Sequence, residues 1–65
     1  MDVKKTGRLI AERRKELGLT QKQLAERLHV SDRAVSKWER GAGFPDIALL
    51  EPLADELGLP VLSLL

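Results

Sequence analysis

Apolar residues recur along this chain at helical spacing, and each break in the recurrence carries a capping or turn residue. The pattern predicts a first helix from about Val3 to Leu17, with Asp2 as its cap, Ile10 and Leu17 facing inward, and Gly18 as its stop. Thr20-Gln21-Lys22-Gln23 reads as a capping box: the Thr20 hydroxyl can accept from the Gln23 N–H while the Gln23 side chain returns to the Thr20 N–H. Leu24, Ala25 and Leu28 then form an apolar stripe, and His29-Val30-Ser31 interrupts it, so this second helix has only about two turns. Ser31 caps a third helix from Asp32 to about Arg40, with Val35 and Trp38 on one face, Arg33, Ser36, Lys37 and Arg40 on the other, and Gly41 ending it. After the extended Phe44-Pro45, the residues Ile47, Leu50, Leu53, Ala54 and Leu57 form an inward stripe on a fourth helix from Asp46 to about Leu57, closed by Gly58. Pro52 lies beyond its first turn and removes the hydrogen bond to the Ala48 carbonyl, which predicts a local kink. The final segment from Leu59 to Leu65 adds one helical turn or two, with Pro60 near its first position.

The fold class is therefore all-α, one domain over 1–65, with no repeat, low-complexity tract or linker. Within it, residues 20–40 form two short helices joined by a tight turn, the second bearing a polar stripe. That is the physical description of a helix-turn-helix unit. Ala25 provides the small residue needed where the two helices cross, and Val35 and Trp38 anchor the second helix.

Net charge is +1, which hides a segregation. Met1 to Gly41 holds all eleven basic residues and six acidic ones, a balance of +5, whereas Ala42 to Leu65 holds four acids and no base. A clustered positive half attracts phosphates and releases counterions, although a solvated helix face would look the same in composition. There is no cysteine, hence no disulfide framework or thiolate metal site, and a reducing, cytoplasmic compartment fits. No apolar run approaches the ~18 residues of a membrane span. His29 stands alone, and Gly41-Ala42-Gly43 lacks the strand and the full glycine spacing of a nucleotide loop, so neither catalysis nor a metal or cofactor site is expected.

The run from Leu19 to Ala25 and the run Val30-Ser31-Asp32-Arg33-Ala34-Val35-Ser36-Lys37-Trp38-Glu39-Arg40-Gly41 resemble the XRE-type helix-turn-helix family of phage repressors, Cro proteins and bacterial transcriptional regulators. The likeness extends to Gly7-Arg8-Leu9-Ile10, Arg14, Pro45-Asp46-Ile47 and Leu53 to Gly58. It implies a compact five-helix, lambda-repressor-like domain that binds double-stranded DNA, with helix 32–40 in the major groove, in the service of transcriptional repression. Gln21 matches a phosphate-holding position, aided by the helix N-terminus. Asp32, Arg33, Ser36 and Lys37 match positions that face base edges, and Arg40 one near the sugar-phosphate backbone. Arg33 offers the planar fork that fits guanine O6 and N7, and Lys37 a point donor to the same edge. Asp32 could accept from a cytosine amino group, but as the first helical residue it also suits the helix dipole. Arg14 and Glu39 match an ion pair.

Three positions depart from the family pattern. His29 stands where glycine is usual, Arg13 where leucine is usual, and Pro60 where a capping serine is common. The same fold could instead present its helices to another protein, which is the competing reading. Leu62, Leu64 and Leu65 exceed what a small core can hide, which implies either a contact surface for a homodimer on a pseudo-palindromic operator or packing against further chain. No small-molecule pocket is legible.

Overall fold

The computed structural model describes residues 1–65 and contains four α-helices followed by a 3-10 helix. The helices are α1 (Val3–Glu16), α2 (Gln21–Leu28), α3 (Asp32–Glu39) and α4 (Ile47–Leu57), with the 3-10 helix at Val61–Leu64. The expected fifth helix is thus a single tighter turn, with Ser63 N donating to the Pro60 carbonyl at 2.9 Å and Leu65 N to the Leu62 carbonyl at 3.2 Å. α3 lies between α1 and α2, and α4 crosses α2 and carries the 3-10 helix back to α1.

The caps form where the sequence puts them. Asp2 accepts from Lys5 N at 3.1 Å, and both arms of the α2 capping box are made, Gln23 N to Thr20 Oγ1 at 3.0 Å and Thr20 N to Gln23 Oε1 at 2.8 Å. Ser31 caps α3 through Ala34 N at 3.2 Å, and Asp46 caps α4 through Ala48 N at 2.9 Å. His29 takes the left-handed conformation, φ 57° and ψ 40°, and so makes the turn at which the family resemblance leads one to expect glycine. α3 ends at Glu39, and Arg40 is its C-cap rather than its last helical residue.

Ile10, Leu24, Val35, Leu53, Leu57 and Leu64 are fully buried, joined by Ala25, Leu28, Trp38, Leu50 and Ala54. Two inward assignments are corrected. Leu17 is 42% exposed, because α1 stops at Glu16 and the chain turns outward at the cap. Ile47 is 84% exposed, because it sits on the first turn of α4, where neither α2 nor the 3-10 helix reaches. Pro52 lies on the exposed side of α4, as does Ala48, and the helix runs unbroken through it from Ile47 to Leu57.

Arg13 explains its own departure from leucine. Its Nε donates to the Leu57 carbonyl at 2.7 Å, so α1 provides the cation that the last turn of α4, which has no basic residue, lacks. Thr6 ties α1 to the 3-10 helix by donating its hydroxyl to the Leu64 carbonyl at 3.1 Å. Gly7 is the point of closest approach between α1 and α3: a Cβ there would collide with the Trp38 carbonyl oxygen and lie 3.1 Å from that of Glu39. Alanine is the better helix former by about 1 kcal/mol, yet backbone cannot yield as a side chain can. Gly7→Ala is therefore expected to destabilise the domain by about 1–3 kcal/mol in urea denaturation, and a more stable variant would show that the helices can part at no cost.

Candidate nucleic-acid interface

α2 and α3 meet at Ala25, which is buried, and Val35 and Trp38 hold α3 down by its inner face. This fixes which residues of α3 look outward. Asp32, Arg33, Lys37 and Arg40 are exposed and Ser36 half-buried, so the expected stripe is brought together on one face. Asp32 occupies the first turn, where its charge suits the positive helix end. Arg33 and Lys37 enter no ion pair with an acidic side chain. Arg40 folds back one turn, its Nε donating to Ser36 Oγ at 3.3 Å.

Lys37 has a seat that its sequence position does not reveal. A methyl group at Gly43 would lie 3.2–3.3 Å from Cγ, Cδ and Cε of Lys37, so the lysine stem runs across Gly43 toward the α3–α4 turn.

Gln21 is half-buried at the start of α2, and its side chain is engaged: Nε2 donates to Glu39 Oε1 at 3.0 Å. Glu39 is also the partner of Arg14, which donates through Nε to Oε2 at 2.6 Å and through Nη2 to Oε1 at 2.9 Å. The remaining Arg14 nitrogen, Nη1, donates to the Leu19 carbonyl at 2.7 Å. The two charged side chains are 10% and 7% exposed, which puts the pair in the buried regime. The Arg14–Glu39 contact is the ion pair that the family resemblance implies, whereas the Gln21 bond to the same carboxylate was not expected. No local sequence signal marks it, because it spans a separation of 18 positions and shares Oε1 with Arg14 Nη2.

The hydrogen bond to Glu39, its charge also contributing, raises the guanidinium of Arg14 above its ordinary value against the opposing effect of burial. Burial is the largest influence on Glu39 and pushes its carboxyl up, but the hydrogen bonds from Arg14 and Gln21, with the charges of Arg14 and Lys15, outweigh it. The carboxyl therefore sits below its ordinary value near 4.5.

The largest cleft, of about 520 Å³, lies elsewhere, between α1 and the 3-10 helix, with Leu9, Leu62 and Leu65 among Lys5, Arg8 and Glu12. No group of three His, Asp or Glu side chains could hold a metal ion, and no helix is long and apolar enough to cross a membrane.

Two short helices crossing at a small residue, the second held by its apolar face and turning a cationic face outward, define a helix-turn-helix domain of the kind used by transcriptional regulators. The chain belongs to the XRE-type helix-turn-helix family, whose profile matches residues 10–64. An uncharacterized HTH-type transcriptional regulator of Methanothermobacter thermautotrophicus is 46% identical over 50 residues, covering 77% of this chain and 72% of that protein. The HTH-type transcriptional activator BcrR of Enterococcus faecalis is 45% identical over 47 residues, covering 72% of this chain but only 23% of BcrR. The P22 c2 repressor protein, solved in complex with a synthetic operator, superposes with a TM-score of 0.89 at 35% identity, covering 92% of this chain and 91% of that one.

Because the Glu39 carboxyl is depressed in the fold, the stability it contributes is complete above about pH 4.5 and is lost as pH falls through its lower folded value. Arg14→Met alone leaves a buried carboxylate unpaired and is expected to cost about 3–5 kcal/mol in urea denaturation at pH 7, whereas Arg14→Met with Glu39→Leu costs less than the single change. The acid-dependent component should vanish in the double variant. An undiminished loss of stability below pH 4.5 in that variant would assign it to other carboxyls.

Proposed function

We propose that this domain regulates transcription, as a repressor, by binding double-stranded DNA sequence-specifically with α3 in the major groove. The observation that carries this reading is the outer face of α3: Arg33 and Lys37 stand exposed with no acidic partner, beside the capped N-terminus of α2, in a fold that the P22 repressor uses on its operator. Arg33 is the bidentate reader of guanine. Lys37, carried across Gly43, donates farther along the groove edge, and Ser36 faces the same edge. Asp32 either accepts from cytosine or serves only the helix dipole. Gln21 and Arg40 hold phosphates and set register.

The apolar rim of the cleft between α1 and the 3-10 helix, with Leu62 at 80% and Leu65 at 51% exposure, suits a second copy of the chain. A symmetric homodimer would then present two copies of α3 to a pseudo-palindromic operator. The compartment this implies is the cytoplasm of a bacterial or phage-infected cell. One feature favours the competing reading of a protein-interaction module, namely Ile47, exposed beside Pro52 and away from α3. Titration with random-sequence duplex at low and high salt separates the two, because a protein-only module shows no salt-dependent binding.

Arg33→Ala is expected to cost about 1–3 kcal/mol on the selected site and to relax preference at one base pair. Arg40→Ala is expected to weaken binding on all sequences and to lower the salt slope by about one unit. Both follow from selection of a random duplex pool and from binding titrations of the variants; unchanged selectivity in Arg33→Ala would remove it from the readers.

A further inference from the structure

We infer that Glu39 is a positioning residue for DNA binding: it aims the carboxamide of Gln21 at the phosphate backbone, and Arg14 cancels the charge that would otherwise repel that phosphate. The inference rests on the DNA-binding reading above and extends it from the surface into the interior. Glu39 belongs to the last turn of α3 and Gln21 to the first turn of α2, so the bond between them at 3.0 Å fixes one end of each helix to the other. A glutamine on a helix surface ordinarily samples several rotamers, and holding one of them before the ligand arrives removes an ordering cost from binding.

The hydrogen-bond inventory is closed on the inner side and open on the outer. Glu39 Oε1 accepts from both Arg14 Nη2 and Gln21 Nε2, and Oε2 accepts from Arg14 Nε. Gln21 Nε2 carries two hydrogens, so one remains for an anion. The capping box satisfies Gln23 N and Thr20 N and leaves the Gln21 and Lys22 N–H groups of the first turn free beside it. Arg14 fixes the approach as well, since its bond to the Leu19 carbonyl holds the backbone two residues before Gln21. A carboxylate placed one hydrogen bond from a phosphate-holding amide would oppose binding if it stood alone. Its bidentate contact with Arg14 neutralises it while leaving it an acceptor.

The test is a cycle in two backgrounds, neither of which leaves a buried charge unpaired. Gln21→Ala is placed in the wild-type chain and in the Arg14→Met, Glu39→Leu chain, and duplex affinity is measured at fixed salt below the melting temperature of all four proteins. The expected loss from Gln21→Ala is about 3- to 10-fold in the wild type and near none where Glu39 is gone. Equal losses in both backgrounds would overturn the positioning role while leaving the DNA-binding reading intact. Absence of salt-dependent duplex binding by the wild type would overturn that reading itself.

A second measurement needs no variant. Gln21 and Gln23 are the chain's only carboxamides, so their side-chain NH₂ signals are readily assigned by NMR. In the DNA-free protein one Gln21 proton should be shifted and slowed in exchange by the carboxylate, and on adding duplex its geminal partner should move. Two Gln21 protons with the shifts of a free amide would overturn the inference.

Discussion

The guanidinium of Arg14 lies almost sealed from solvent, where a charge survives only if every donor it turns inward finds a fixed acceptor. It meets that demand by binding Glu39 at the end of α3 and the Leu19 carbonyl before α2. Since Arg14 itself belongs to α1, one planar group joins three segments, and the shared carboxylate adds Gln21 as a fourth partner. Apolar packing of Val35 and Trp38 can hold α3 against its neighbours, but packing tolerates sliding more readily than a bidentate contact does. The bond between Gln21 and Glu39 thus adds a polar tie between α2 and α3 to the apolar packing that holds them.

The same division runs through the rest of the molecule. Gly7 lets α1 approach the C-terminal carbonyls of α3 closely enough for Arg14 to reach Glu39. Arg13, the next residue along α1, turns the other way and closes the end of α4. α1 is thus the brace of the structure, with its polar bonds directed to the ends of other helices, where unsatisfied carbonyls and carboxylates wait. The basic residues left over from this bracing include Arg33, Lys37 and Arg40 of the α3 face, together with exposed lysines and arginines on α1 and α2. The segregation of charge along the sequence consequently has two components, one structural and one facing solvent, and only the second is available to a polyanion.

What was legible in the sequence was local. Caps at Asp2, Thr20, Ser31 and Asp46 and the inner face of α3 depend on residues within four positions of one another, and short-range pattern describes them well, whereas the left-handed turn at His29 is signalled only by the family resemblance. Leu17 and Ile47 were misread for the same reason: periodicity says which side of a helix is apolar but not where the neighbouring helix stops covering it. Both lie at helix ends, beyond the reach of a partner. The bonds of Arg13 to Leu57 and Thr6 to Leu64 span 44 and 58 positions and leave no local trace. For the interface, the outward stripe was visible, whereas the engagement of Gln21 and the seat of Lys37 on Gly43 arise only when distant turns are brought together.

This distribution bears on how a domain of this kind can change what it reads. Arg33 and Lys37 enter no ion pair that folding needs, and their backbone belongs to a helix held from its other face. On the proposed reading, substitution there would alter the chemistry offered to a base edge at little cost to stability, as expected for exposed positions remote from buried networks. Glu39 and Arg14 stand in the opposite case, because removing either strands a buried charge. Gln21 lies between the two, half-buried at the start of α2 and bonded to the same carboxylate. Specificity can therefore drift on α3 while the frame that positions α3 stays fixed, and the carboxylate shared by Arg14 and Gln21 marks the boundary between the two.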